Sequence, residues 1–349
     1  MNSVLHAALT IFGISILVIV HEGGHYLVAR ACGMRVVRYS IGFGPAIFRY
    51  KPKDSPTTFQ VCAIPLLAYV QIAGMNPHED VDPKDPALFP NKGLFARMAT
   101  IAAGPVANYV AASLLLFGLA VTAGLPDRTP TEPMVIAEVV YKSPALRAGL
   151  RPGDVVVEAN GQPVRTVTDL VEATRPRAGQ PTTYVIMRDG VRLDPITMTP
   201  YSSSGRGMIG VQSADRIFYR QRGIGEAARD AVVEPFMMTL ASVAALVEKI
   251  RAPSTEGLMG PPQMFELGTR QMEQGLVPAI LFFVMLSVAL GFFNLLPFPA
   301  LDGGRLMFLA YELITRRRPN ERFEAVVHTV GLVLLLSLVI YVSFTGRVG

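Results

Sequence analysis

Four runs of this sequence are apolar for long enough to cross a lipid bilayer. No other feature limits the fold as strongly. A hydrocarbon core about 30 Å thick takes about 20 helical residues. The runs cover about residues 4–29, 98–123, 277–296 and 325–344. In lipid, only helices and closed barrels satisfy every backbone polar group. The expected fold is therefore a multi-pass α-helical membrane protein with four transmembrane helices. Composition agrees: of 349 residues, 50% are hydrophobic and 17% charged, with a mean hydropathy of +0.37. Soluble domains carry about 25% charged residues. A disordered chain, a fibrous chain and an ordinary soluble enzyme are excluded. The first run lacks a basic amino-terminal region and a small-residue cleavage site, so it is expected to stay as a span.

Basic residues are distributed unevenly between the runs. Arg30, Arg35, Arg38, Arg49, Lys51, Lys53, Lys84, Lys92 and Arg97 follow the first. Arg305, Arg316, Arg317, Arg318 and Arg322 follow the third. The positive-inside rule puts these two connections in the cytoplasm, and both termini and residues 124–276 outside. The net charge of +5 and pI near 9.3 then reflect membrane topology and anionic lipid, and no nucleic-acid partner is expected. Cys32 and Cys62 fall on the cytoplasmic side and are expected as reduced structural thiols.

The segments between the runs have their own grammar. Residues 133–200 alternate like strands and carry Asn160-Gly161, a hairpin-turn pair, and Asp189-Gly190. They read as a small β-rich domain with two short helices. Within 201–276, SSSGRG (202–207) reads as a flexible linker. Residues 226–250 read as an amphipathic helix along the outer membrane face. Residues 36–75 hold two apolar, Gly- and Pro-punctuated runs around a basic turn. They read as a β-hairpin seated partly in the membrane, where its strands need pairing partners.

The chemistry centres on His21-Glu22-Gly23-Gly24-His25, at the inner end of the first run. On a helix, His21 and His25 share a face one turn apart. Two imidazoles so spaced can chelate one Zn²⁺, with Glu22 as general base. Ionisable groups inside a span are costly and point to function. A catalytic zinc site needs a third protein ligand. His6 lies about four turns away on the same helix, His78 sits in a loop, and His328 stands alone in the fourth run. Asp302, in NLLPFPALDGGR (294–305), falls at the same membrane depth as His25 and is the best third ligand. A helix N-cap is the other use for an Asp before two glycines.

These motifs resemble the site-2 protease family of intramembrane zinc metalloproteases: HEGGH in the first span, AGPVAN (103–108) in the second, NLLPFPALDGGR after the third. SPALRAGLRPGDVVVEANGQPV (143–164) is similar to a PDZ domain. With AYVQIAGM (68–75), the whole resembles the bacterial branch that releases sigma factors from membrane-bound anti-sigma factors. The resemblance implies a single inserted extracytoplasmic PDZ domain and a bacterial inner-membrane location. It implies Zn²⁺ held by His21, His25 and Asp302, with Glu22 activating water. It also implies a substrate-binding set of Asn294, Pro297, Pro299 and Asn108. Asn294 offers a donor and an acceptor to an unwound backbone, and the two prolines keep non-helical chain beside a cavity. Gly104-Pro105 reads as plain close packing of helices.

The implied activity is endoproteolysis of transmembrane segments, on pre-trimmed single-span proteins such as anti-sigma factors or on remnant signal peptides. Partners are then transmembrane substrates, the lipid bilayer and a peptide in the PDZ groove, although a steric gate is the preferred use of that domain. A catalytically silent PDZ-containing membrane scaffold is the alternative. A zinc transporter or sensor would need more polar residues within the spans.

Overall fold

The computed structural model describes residues 3–76, 79, 81–129, 132–203, 206–214, 216–251 and 259–345. His78 lies outside them. The chain divides into two compact units: residues 1–122 with 222–348, and residues 123–221.

The first unit is helical. α1 (Ser3–Ala31) is followed by two long strands, β1 (Val36–Tyr50) and β2 (Thr58–Ile72), and by α2 (Leu94–Thr122). Glycines let these helices approach closely. A Cβ at Gly24 of α1 would run into the Ala103 carbonyl and lie 2.8 Å from Ala107 Cβ of α2. One at Gly291 would lie 3.0 Å from the Pro105 carbonyl and the Tyr109 ring. Such backbone contact is how helices bind one another where lipid removes the hydrophobic drive.

β1 and β2 pair more than once. Residues Arg38–Ile41 meet Ala68–Gln71 along one side and Thr58–Val61 along the other, while Phe48–Tyr50 also meet Phe59–Val61. The strands therefore fold back into four short runs in the order 48–50, 59–61, 39–41, 68–70. Gly42 and Gly44, at φ of +87° and +95°, allow the bend in β1. Inside the curl, Gln60 Nε2 donates to Ser40 Oγ at 3.0 Å and approaches Cys62 Sγ at 3.4 Å. Outside it, Phe43 and Ile47 are 60% and 75% exposed.

The second unit is β-rich. β3 (Leu125–Thr129), β4 (Ile136–Val139), α3 (Pro144–Arg147), β5 (Val155–Ala159), β6 (Gln162–Pro163) and α4 (Val167–Thr174) come first. β7 (Thr182–Arg188), β8 (Val191–Arg192), β9 (Ile196–Met198), β10 (Tyr201–Ser203), β11 (Arg206–Met208), β12 (Val211–Ser213) and β13 (Arg216–Arg220) follow. The main sheet runs β6-β5-β7-β8, with β9 also on β7. Both hairpin turns form at the Asn-Gly and Asp-Gly pairs, whose four residues all have positive φ. Thr166 and Asp169 make a capping box on α4. The core gathers Met134, Ile136, Val156, Leu170, Tyr184 and Ile186. β3 pairs with β13, so the unit closes where the chain enters and leaves it. The expected linker is different: β10 and β11 pair across it, and residues 204–205 at its tip lie outside the described set.

The chain then returns to the helical unit with α5 (Ile224–Arg251), α6 (Pro261–Gln274), α7 (Leu276–Leu295), α8 (Asp302–Thr315) and α9 (Glu321–Thr345). Among the described residues, five helices are long and apolar enough to cross a membrane: α1, α2, α5, α7 and α9. The sequence reading counted four, because the charges at both ends of α5 mask an apolar middle.

In the β-rich unit, buried Asp154 accepts two hydrogen bonds from Arg188, at 2.7 and 2.8 Å. These bonds hold its carboxyl below the usual carboxylate range. A depressed acid stabilises the fold above its unfolded pKa of about 3.9 and loses that contribution as pH falls through the folded value. Hydrogen exchange on the whole chain should therefore show β5 and β7 losing protection as pH drops below about 4. Asp154→Asn should lower protection at neutral pH and flatten the acid dependence. Unchanged protection would contradict the role given to this pair.

Candidate active site

HEGGH lies within α1, and its two imidazoles face the same side with ring centroids 4.9 Å apart. The close α1–α2 contact at Gly24 brings the Thr100 carbonyl to His25 Nδ1 at 2.8 Å. That carbonyl can only accept, so the proton sits on Nδ1 and the lone pair on Nε2. His21 is held from the same side. Its Nδ1 lies 3.1 Å from the Asn108 side-chain amide, while Asn108 Oδ1 is buried with no partner. Turning that amide over exchanges its oxygen and nitrogen. Nδ1–H of His21 then donates to Oδ1, and Nε2 of His21 also presents a lone pair.

Asp302 meets these two nitrogens from the other half of the chain. α7 ends at Leu295, and the chain turns through Pro297 and Pro299 before α8 begins at Asp302. Gly303 and Gly304 make the turn tight: a Cβ at Gly303 would meet the Leu295 and Leu296 carbonyls. His328 of α9 braces it, with Nδ1 accepting from the Ala300 N–H at 3.0 Å. Asp302 Oδ2 thus stands 3.1 Å from His21 Nε2 and 3.3 Å from His25 Nε2. It does not cap α8, whose N-cap is Leu301.

Three acceptor atoms converge, with the nitrogens 3.2 Å apart. Three lone pairs so close repel one another unless a cation lies between them. Ligands of a tetrahedral zinc at about 2.0–2.1 Å sit about 3.3 Å from one another. The donor set fits that ion. His21, His25 and Asp302 form the His, Asp and Glu cluster suited to a metal among the described residues.

The three groups open onto a cleft of about 550 Å³, which also exposes Glu22, Tyr69, Val70, Gln71 and Asn294. The Val70 backbone lies beside the Glu22 carboxylate in the cleft wall. Glu22 therefore faces the outer edge of run 68–70, where no further strand pairs among the described residues.

The other expected site residues separate. Asn294 lines the cleft, with its amide nitrogen donating to Leu290 O at 2.9 Å. Pro299 packs against Gly331 of α9, and the cleft wall in this turn is made by Asn294, Ala300 and Leu301. Asn108 is fully buried beside His21 and is not among the residues that line the cleft. His6, near the far end of α1, has Glu273 of α6 as its neighbour.

Gly104 needs a different reading from the sequence expectation of plain helix packing. A Cβ there would collide with His25 Nε2 and lie 2.8 Å from His21 Nε2. Its missing side chain is room for the imidazole pair. Arg97 was also missed as a group that holds the site. It donates twice to Glu312, at 2.9 and 2.6 Å, tying α2 to α8. Nothing in the sequence marks that pair, whose members lie 215 residues apart.

Gly104→Ala should lower zinc content several-fold in the purified chain, with helical content retained. Gly118→Ala, where an added Cβ meets nothing within 4 Å, should leave zinc unchanged. Equal zinc in both variants would contradict the packing of Gly104 beneath the imidazoles.

Comparison with known proteins agrees in one direction. Residues 9–338 match the model of the peptidase family M50. Metalloprotease MmpA of Caulobacter vibrioides is 31% identical, over 96% of this chain and 93% of its own length. A candidate zinc metalloprotease of Mesorhizobium japonicum is 31% identical over 97% of each chain. Another, from Synechocystis, is 32% identical over 97% of this chain and 93% of its own. Among solved structures, the PDZ domain of an SdrC-like protein from Listeria monocytogenes aligns with 25% of this chain and 94% of its own. Its identity is 16% and its TM-score 0.22, too low to carry an argument about fold. The match across most of the chain and the near-complete coverage of these relatives make the chain a member of peptidase family M50, the site-2 protease family of zinc-dependent membrane metalloproteases.

Proposed function

We propose that this metalloprotease cuts peptide bonds within the membrane-spanning segments of other proteins. The observation that carries the reading is the convergence of His21, His25 and Asp302 on a cleft that holds Glu22, inside a bundle of apolar helices. Zinc, when bound by those three side chains, supplies a Lewis acid and makes water more acidic. Glu22 takes the proton of the attacking water and returns it to the leaving amine nitrogen. Thr100 and Asn108 keep His25 and His21 in the tautomers that point Nε2 inward. Asn294 meets the substrate backbone from the α7 side.

A helical substrate hides its carbonyls, so it must unwind before attack. The outer edge of run 68–70 offers an extended segment a strand to pair with, beside Glu22. Substrates are then single-span proteins already trimmed outside the membrane, in regulated intramembrane proteolysis. Anti-sigma factors and remnant signal peptides are of this kind. The β-rich unit acts as a PDZ-type gate on bulky outer domains.

Four net crossings suit the helix contacts best. His25 meets Thr100 while His21 meets Asn108, so α1 and α2 run oppositely. Ser287 bonds Asn108 O and Gly291 meets Pro105, so α7 opposes α2. α9 begins beside Ala300 and reverses again. α5 leaves from the end of α2, where Arg222 bonds Ala120 O, and reaches Tyr109 through Thr239. α6 then packs Gly268 on Thr10, at the α1 end remote from the metal site. The chain thus leaves α2 and enters α7 on one side, and α5 makes no net crossing. With the basic connections inside, both termini and the β-rich unit are extracytoplasmic in a bacterial inner membrane, and the cleft lies near the cytoplasmic face.

The test uses purified chain in liposomes with a single-span peptide carrying helix-breaking residues at mid-span. The wild type should cut within the apolar segment. Glu22→Gln should slow cleavage about 10³-fold with zinc content unchanged. Full activity in Glu22→Gln would overturn the general-base assignment. Cleavage outside the span alone would overturn the intramembrane reading.

A further inference from the structure

Arg305 stands one helical turn after Asp302 on α8 and lines the cleft beside Glu22, Asp302 and Asn294. It is the one Lys or Arg among the described residues of that wall. It also borders a second cavity of about 210 Å³, shared with Arg97, Glu312 and His328.

The neighbouring cations are committed. Arg97 gives both terminal nitrogens to Glu312, and Arg318 donates to Pro90 O at 2.9 Å. Arg305 differs. Among the described residues its side chain has no ion pair and no hydrogen bond, and the acids that influence it, Asp302 and Glu324, lie beyond ion-pair distance. Asp302 Oδ2 is already turned to the imidazoles. A guanidinium keeps its charge at any accessible pH, and this one is half-buried in the cleft wall with no side-chain partner among the described residues. Such a group awaits an anion.

The reaction itself makes one. Hydrolysis converts a neutral peptide bond into a carboxylate on the acyl half and an amine on the other. The new carboxylate appears in a cleft that already holds Glu22 and Asp302, both acidic. Beside the metal, Arg305 is the one permanent side-chain cation of the described cleft wall, and its planar fork matches a carboxylate with two parallel hydrogen bonds. We propose that Arg305 binds the newly formed carboxyl terminus of the acyl product, so that the cleft distinguishes a peptide acid from its amide. This rests on the protease reading above.

The experiment uses the full chain carrying Glu22→Gln, loaded with zinc. The probe is a short N-acetylated apolar peptide, as the free acid and as the carboxamide, with affinities measured in detergent. The acid should bind about tenfold more tightly than the amide, the size expected for a charge-assisted pair. Adding Arg305→Gln should remove most of that preference. Arg305→Lys, which keeps the charge and loses the fork, should give an intermediate ratio. Zinc content and melting temperature are measured for each variant. The metal contributes equally to both backgrounds, so the change in ratio reads Arg305 alone. An acid-to-amide ratio unchanged by Arg305→Gln, or by Arg305→Lys if the Gln variant does not hold zinc, would overturn the proposal. A role in merely positioning Asp302 would weaken acid and amide alike. Failure of the wild type to cut the single-span peptide would instead overturn the protease reading.

Discussion

The structure is organised around a polar centre kept inside an apolar bundle. Three acceptor atoms, on His21, His25 and Asp302, lie within 3.3 Å of one another. Such a centre persists only if every polar group behind it is satisfied, since unpaired groups in lipid cost several kcal/mol each. The Thr100 carbonyl and the Asn108 amide meet that need for the imidazoles. The 296–301 turn, braced by His328 and by Pro299 on Gly331, positions Asp302. Gly24 and Gly104 serve the same end by leaving out side chains where backbone and imidazole must come close. The HEGGH and AGPVAN motifs thus work as one packing arrangement across two helices.

The second constraint concerns a strand beside a membrane-depth site. An open sheet edge is excluded from lipid unless it lines a cavity. The fold-back of β1 and β2 pairs the two inner runs, 59–61 and 39–41, on both sides and leaves edges at 48–50 and 68–70. The edge at 68–70 lines the cleft that holds Glu22. Of the two edges, the one at 68–70 borders the cleft and is the one an extended segment in the cleft would meet.

Much of the centre was legible in the sequence because its signals are local. HExxH fixes two side chains on one helix face, and an Asp before two glycines, after a proline-broken span, marks a turn. Asn160-Gly161 and Asp189-Gly190 were legible for the same reason: positive φ at both central residues favours those pairs. The rest depends on distant partners or on backbone atoms. His25 leans on a backbone carbonyl, which no residue identity announces. Arg97 and Glu312 look like ordinary basic and acidic residues until α2 and α8 are packed together. Gly104 reads as a packing glycine until the imidazoles are seen above it. The double pairing of β1 and β2 violates the simple hairpin pattern that alternation suggests. The SSSGRG segment misled because composition cannot separate a linker from a short hairpin.

The central claim is that Asp302 completes the zinc site with His21 and His25. The direct measurement is X-ray absorption at the zinc edge on the wild type beside Asp302→Cys. The wild type should give a shell of nitrogen and oxygen at about 2.0–2.1 Å with no sulfur, and the variant one sulfur at about 2.3 Å. A zinc-loaded Asp302→Cys with an unchanged nitrogen and oxygen shell would contradict the account, because the metal would then be held without residue 302.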